Sequence, residues 1–126
     1  MKILVVDDED DMQTLFLQRF RKEIREGAAE FAFATSGEQA LQYLDRYKHE
    51  AVLILSDINM PGMSGLELLK EIKGTKYTPP PVVMMITAYG DAENYNRAME
   101  LGADDFLTKP VDFNVLKQKL KIEPNG

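Results

Sequence analysis

The chain contains no cysteine in its 126 residues. That excludes disulfides, thiolate nucleophiles and Cys-based zinc or iron–sulfur sites. It agrees with a reducing compartment without requiring one. Histidine is nearly absent as well: His49, in a polar segment, is the only one, and it reads as a surface residue, not a ligand or base. No apolar run approaches the length of a membrane span, and the opening run Ile3-Leu4-Val5-Val6 is too short for a signal sequence. The expectation is a soluble cytoplasmic domain that does not engage membranes. Positive charge is in deficit, with 15 basic against 21 acidic residues and a net charge of −6, which argues against direct nucleic-acid binding. Only Lys117, Lys119 and Lys121 gather, and their alternate spacing reads as a solvated helix face. A Gly-x-x-x-x-Gly-Lys-Ser/Thr loop is also missing, which excludes a P-loop nucleotide switch.

What is present is organised around Ser56-Asp57-Ile58-Asn59-Met60-Pro61-Gly62-Met63-Ser64-Gly65. It follows the apolar run Ala51–Leu55, which reads as a strand buried on both faces. Pro61, Gly62 and Gly65 turn the chain, and Leu66 to Lys73 reads as a helix. Buried strands are also expected at 3–6 and 82–87 and short strands at 30–35 and 105–108, with Pro79-Pro80-Pro81 keeping the loop before the fourth extended. Helical spacing marks Met12 to Ile24, ended by Gly27. Ser36 and Gln39 form a capping box for a second helix running to about Tyr47. Asp91 caps a fourth that ends at Gly102, and Phe113, Leu116 and Leu120 mark a fifth. Five strands alternating with five helices predict one α/β domain, a parallel sheet covered on both faces through right-handed crossovers.

The polar residues that stand out all fall at carboxyl ends of strands. Asp7 and Asp8 follow the first strand, Asp57 the third, Thr87 the fourth and Lys109 the fifth. Such ends are where open α/β sheets bind ligands. If the strands lay in the order 2-1-3-4-5, the first and third would be neighbours and three carboxylates would converge. Close like charges repel. A hard divalent cation with oxygen ligands resolves that, and Mg²⁺ keeps several waters while doing so. A lysine and a hydroxyl opposite complete a phosphate-sized pocket.

Together, Val6-Asp7-Asp8, Asp57 through Gly65, Thr87-Ala88 and Phe106-Leu107-Thr108-Lys109-Pro110 resemble the signature of response-regulator receiver domains of two-component signalling. The resemblance covers nearly the whole chain: 1–122 as the receiver domain, 123–126 as a tail. It implies the doubly wound (βα)5 flavodoxin-like three-layer fold with a five-stranded parallel sheet of order 2-1-3-4-5. It implies Asp57 as the phosphoacceptor, taking a phosphoryl group from the phosphohistidine of a sensor histidine kinase or a histidine phosphotransfer protein. Asp8 and Asp57 would bind Mg²⁺ (or Mn²⁺ in its place), with the Asn59 backbone carbonyl, and Asp7 through water. Lys109 would pair with the phosphoryl group and Thr87 would hydrogen-bond it. Thr87 and Phe106 form the switch, acting by packing since a phenylalanine has no ring hydroxyl. Asn59 and Tyr89 flank the pocket and bear on phosphate lifetime. Pro110 follows a cis bond.

By the same resemblance, the face of the fourth helix, fifth strand and fifth helix is the output surface. It would control an effector domain, a target protein or a phosphorylation-dependent dimer. Lys109-Pro110-Val111-Asp112-Phe113 departs from the Lys-Pro-Phe common in receivers with winged-helix outputs, which puts their mode of dimerisation in doubt here. The domain is expected to be no enzyme beyond its own phosphorylation and dephosphorylation. Three rivals share parts of this pattern. A flavin carrier needs a phosphate cradle after the first strand, where this chain has acids. A haloacid-dehalogenase-like phosphatase needs a second Asp where Asn59 stands. A receiver-shaped interaction module independent of phosphate remains the serious alternative. The Pro124-Asn125-Gly126 end leaves both an N-terminal module of a longer chain and a free-standing domain open.

Overall fold

The structure, a computed structural model, describes residues 1–47, 52–74, 77, 80–88 and 90–121. Expectations placed on His49, Ala51, Pro79, Tyr89 and the 123–126 tail lie outside the described residues.

Five short segments form the strands β1 (Lys2–Val6), β2 (Glu30–Ala34), β3 (Val52–Asp57), β4 (Val82–Ala88) and β5 (Asp105–Lys109), aliphatic in β1, β3 and β4 and bearing phenylalanine in β2 and β5. They pair in parallel in the order β2-β1-β3-β4-β5, the order the resemblance implied. Side chains alternate between faces along a strand, so the sheet feeds two cores. One face carries Leu4, Val6, Ile54, Val83 and Met85. It is covered by α3 (Gly37–Arg46), α4 (Gly65–Ile72) and α5 (Ala92–Glu100), through Ala40, Leu44, Leu68, Leu69, Ile72 and Ala98. The other face carries Ile3, Val5, Leu55, Met84 and Ile86. It is covered by α1 (Asp10–Arg19), α2 (Arg21–Arg25) and α6 (Phe113–Leu120), through Phe16, Phe20, Leu116 and Leu120. Three layers result, and the strands' carboxyl ends emerge along one edge.

Side-chain caps start four helices. Ser36, Ser64 and Asp91 accept the N–H groups of Gln39, Glu67 and Asn94, and Asp112 accepts those of Asn114 and Val115. The capping box at Ser36 is shifted by one. Gln39 Oε1 accepts the N–H of Thr35 at 2.9 Å, not that of Ser36.

Three expectations change. The first helix is two, because the backbone unwinds at Phe20 (φ −106, ψ 17). Hydrogen bonds from Phe20 N–H to Phe16 and from Ile24 N–H to Phe20 carry the chain across the break. The Phe20 ring stays buried there, 4.9 Å from Phe31 and stacked on Phe16. The fourth and fifth helices read from the sequence are therefore α5 and α6. Second, the lysines of α6 are not a free solvated face. Lys117 Nζ lies 2.9 Å from the buried carboxylate of Glu23, and Lys119 Nζ lies 3.0 Å from Asp105. Third, the sequence reads Met60, Met63, Met84, Met85 and Met99 as core filler or loop anchors; Met60, Met84 and Met85 are buried and Met63 packs half-buried against the core, but Met99 is exposed.

Candidate functional site

Each site residue is delivered by a strand that has just left the core. Asp7 follows β1, and its N–H continues the pairing to β2 by donating to Ala34 O at 3.0 Å. Its side chain is buried, and Oδ1 accepts the N–H of Glu9 at 2.9 Å. Asp8 is exposed. Asp57 is the last residue of β3, opposite Ile86, and is 2% exposed. Adjacency of β1 and β3 brings these three together: one ligand oxygen from each of Asp7, Asp8 and Asp57 lies within 4.8 Å of the others.

From β5 comes the counter-charge. Lys109 Nζ donates to Asp57 Oδ2 at 2.9 Å. The next peptide, Lys109–Pro110, is cis. Thr87 is 1% exposed on β4. Two buried oxygens at this edge have no hydrogen-bond partner, Asp57 Oδ1 and Thr87 Oγ1. Most buried polar atoms are satisfied. An orphaned carboxylate oxygen and an orphaned hydroxyl, on neighbouring strands one register position apart, fit a ligand that accepts from one and binds the other.

The charges respond to this crowding. Burial pushes the Asp7 carboxyl above its ordinary value, and the charge of Asp57 adds to it, against the Glu9 N–H and Lys109. Burial works against the Lys109 ammonium, but the hydrogen bond and charge of Asp57, and then the charge of Asp7, outweigh it and raise its pKa. Three carboxylates against one ammonium leave an excess of negative charge. A divalent cation balances it, and the donors are all oxygens, with exposed Asp8 leaving room for water. The residues fit a Mg²⁺-class ion.

Asn59 is exposed in the loop after β3. That loop is held at Ile58, whose N–H donates to Ile86 O at 3.0 Å and whose carbonyl accepts the N–H of Gly65 at 2.8 Å. Phe106 is half-buried on β5, with its ring edge-to-face against Tyr95 at 4.6 Å. Tyr89 lies outside the described residues. A concavity of about 510 Å³ beside Gln39, Gln42, Tyr43, Arg46 and Tyr47 includes none of the site residues.

Two residues carry more than their spacing indicated. Gly65 reads as a turn glycine, but a Cβ there would overlap the carbonyl oxygen of Asp57 and stand 2.7 Å from Ile58 Cα. Tyr95, on α5, is the aromatic partner of Phe106. The glycine in Met63-Ser64-Gly65 was a visible signal. For Tyr95 there was none, since its partner is on another element.

Comparison with known proteins agrees with this geometry. The response regulator receiver domain family matches residues 3–121. Response regulator RppA of Synechocystis sp. is 35% identical over 121 residues, covering 96% of this chain and 49% of that protein. Chemotaxis protein CheY1 of Helicobacter pylori is 34% identical over 123 residues, covering 97% of this chain and 95% of that protein. The crystal structure of a response regulator receiver protein from Pseudomonas putida superposes with TM-score 0.82 at 27% identity, covering 97% and 96% of the two chains. The chain spans about half the length of the first two curated relatives, 49% and 51%, and nearly all of CheY1. With the family matched across almost every residue and its fold reproduced, the chain belongs to the response regulator receiver domains.

Proposed function

We propose that this domain accepts a phosphoryl group on Asp57 from the phosphohistidine of a sensor kinase or phosphotransfer protein and switches an output surface in response. The observation that carries the reading is Asp57 itself: buried, held at Oδ2 by Lys109, and unpartnered at Oδ1. A carboxylate oxygen attacks phosphorus, the P–O bond to Asp57 forms, the P–N bond to histidine breaks, and the leaving imidazole takes up a proton. Lys109 transfers its hydrogen bond to a phosphoryl oxygen. Thr87 Oγ1 donates to another, which gives that buried hydroxyl a partner.

Asp8 and Asp57 would hold Mg²⁺ (or Mn²⁺ in its place), with the Asn59 carbonyl, and Asp7 through water. The ion supplies charge neutralisation for the incoming phosphoryl oxygens. Drawing Thr87 toward the phosphoryl group opens space beside β4, and the Phe106 ring turns into it. That motion repacks the edge-to-face contact with Tyr95 and alters the face of α5, β5 and α6, where Tyr95, Met99 and Val115 are exposed. The surface would act on an effector domain or a separate target. Asn59 and Tyr89 would set how long the phosphoryl group lasts. Among the described residues no helix is long and apolar enough to cross a membrane, and the cytoplasm is the compartment this partner chemistry requires.

The test is incubation with Mg²⁺ and acetyl phosphate, followed by intact mass. One added phosphoryl group in the wild type, absent in Asp57→Ala and absent after chelation, is expected. No mass gain in the wild type sinks the proposal and leaves a receiver-shaped interaction module.

A further inference from the structure

The loop between β3 and α4 carries the Asn59 carbonyl, and little of it is buried. Ile58 anchors its start, and the Met60 side chain is buried in the core. Pro61 and Gly62 then run exposed. The next tie comes from a different element. Glu38, in the first turn of α3, accepts the N–H of Met63 at Oε1, 3.2 Å away. The same oxygen would lie 3.5 Å from a Cβ at Gly62. Gly37 packs so closely on Met63 that a Cβ would stand 2.7 Å from its Sδ. Met63 in turn precedes Ser64, the cap of α4.

We infer that Glu38 is a positioning residue: through Met63 it clamps the far end of the 58–64 loop and so holds the Asn59 carbonyl beside Asp57. The inference rests on the phosphoacceptor reading above. Glu38 touches neither Asp57 nor the cation; it acts through the loop backbone. The tie joins the loop end to α3. What the clamp needs from position 38 is an acceptor oxygen, not a charge. A glutamine keeps the oxygen. An alanine does not.

A second role for Glu38 makes the opposite prediction. A negative charge in the first turn of a helix stabilises it. If that were its only role, Glu38→Gln and Glu38→Ala would behave alike. The clamp predicts that they separate.

The experiment uses the full 126-residue chain as wild type, E38Q and E38A. Mg²⁺ binding is followed by calorimetry, amide hydrogen exchange over residues 59–63 is followed without divalent cation, and uptake from acetyl phosphate by mass. One exposed hydrogen bond to a carboxylate corresponds to about a fivefold effect. E38A is expected to bind Mg²⁺ about fivefold more weakly, to exchange residues 59–63 faster and to take up phosphoryl more slowly. E38Q stays within about twofold of wild type in each. Wild-type Mg²⁺ affinity in E38A, or equal weakening in both variants, overturns the clamp. A wild type that neither binds Mg²⁺ nor takes up phosphoryl overturns the phosphoacceptor reading and the inference with it. The exchange data then separate the two failures, since they report the loop without the metal.

Discussion

Gly65→Ala adds a single methyl group, and its effect follows from the backbone around it. The new Cβ would overlap the carbonyl oxygen of Asp57, and stand 2.7 Å from Ile58 Cα and 2.8 Å from the Asp57 carbonyl carbon. Carbon atoms rest at about 3.5–4.0 Å. All three neighbours are backbone, so no side-chain rotation relieves the clash. Either α4 lifts away or the end of β3 bends. Both options break the hydrogen bond from Gly65 N–H to Ile58 O, 2.8 Å in the native structure. Overpacking of this kind costs about 1–3 kcal/mol, and the lost bond about 1 kcal/mol more. Alanine's smaller unfolded-state entropy returns about 1 kcal/mol. The net loss is about 1–3 kcal/mol. At a urea slope of about 2 kcal/mol per molar, the unfolding midpoint falls by about 0.5–1.5 M.

Gly74→Ala is the internal control. Its nearest contacts would be 3.4 Å to Glu71 O and 3.6 Å to Lys70 O, so the substitution should be neutral or slightly stabilising. Because the strained atoms belong to Asp57 and Ile58, phosphoryl uptake by folded Gly65→Ala should also fall while Gly74→Ala stays at the wild-type rate. An unchanged or higher midpoint for Gly65→Ala refutes the packing argument. A lower midpoint with wild-type uptake refutes the link to the site.

The other predictions are smaller experiments. Asp7→Asn should raise the urea midpoint at neutral pH without divalent cation, while weakening Mg²⁺ binding. Its folded pKa lies above the unfolded value of 3.8, so the carboxylate form destabilises the native state once pH rises through that window. A lower midpoint contradicts this. Lys117→Ala leaves the Glu23 carboxylate, 3% exposed, without its partner. It should cost about 2–4 kcal/mol, discounted from a fully buried pair because Lys117 is a quarter exposed. Burial raises the Glu23 pKa, but the hydrogen bond and charge of Lys117 overcome this and lower it below 4.5. The pair therefore stabilises above the unfolded value and is lost as pH falls through the folded one. The gap between variant and wild type should close in acid, and a gap constant across that range disproves the assignment. Phe106→Ala removes the half-buried ring against Tyr95 and should cost about 1–3 kcal/mol. Phosphoryl uptake should persist while phosphorylation-dependent output disappears; normal output from the phosphorylated variant counts against a packing switch.

Strand and helix positions, helix caps and strand-end acids were legible in the chain because each is a local property. A run such as Ile3–Val6 satisfies the period and length of a buried strand within itself. The caps read at Ser36 and Asp91 act on an N–H only three residues away. The signature residues Asp7, Asp8, Asp57, Thr87 and Lys109 were recognisable by type and by position after a strand. Their resemblance to a family carried the strand order, which periodicity alone does not contain.

Tertiary structure decided everything that depends on who stands beside whom. The Lys109–Asp57 pair joins residues 52 apart, and the Lys117–Glu23 pair joins residues 94 apart. Charge pattern along one helix therefore misread Lys117 as solvated. The unwinding at Phe20 follows no proline or glycine; it occurs where Phe16, Phe31 and Phe113 crowd the ring. Gly65 and Glu38 matter because α4 and α3 come within contact of the β3 end and its loop. Local preferences are written in neighbouring residues, a few φ/ψ choices at a time. The closeness of Asp7, Asp8 and Asp57 exists only once β1 and β3 lie side by side, and that adjacency is the cooperative outcome of burying both faces of one sheet.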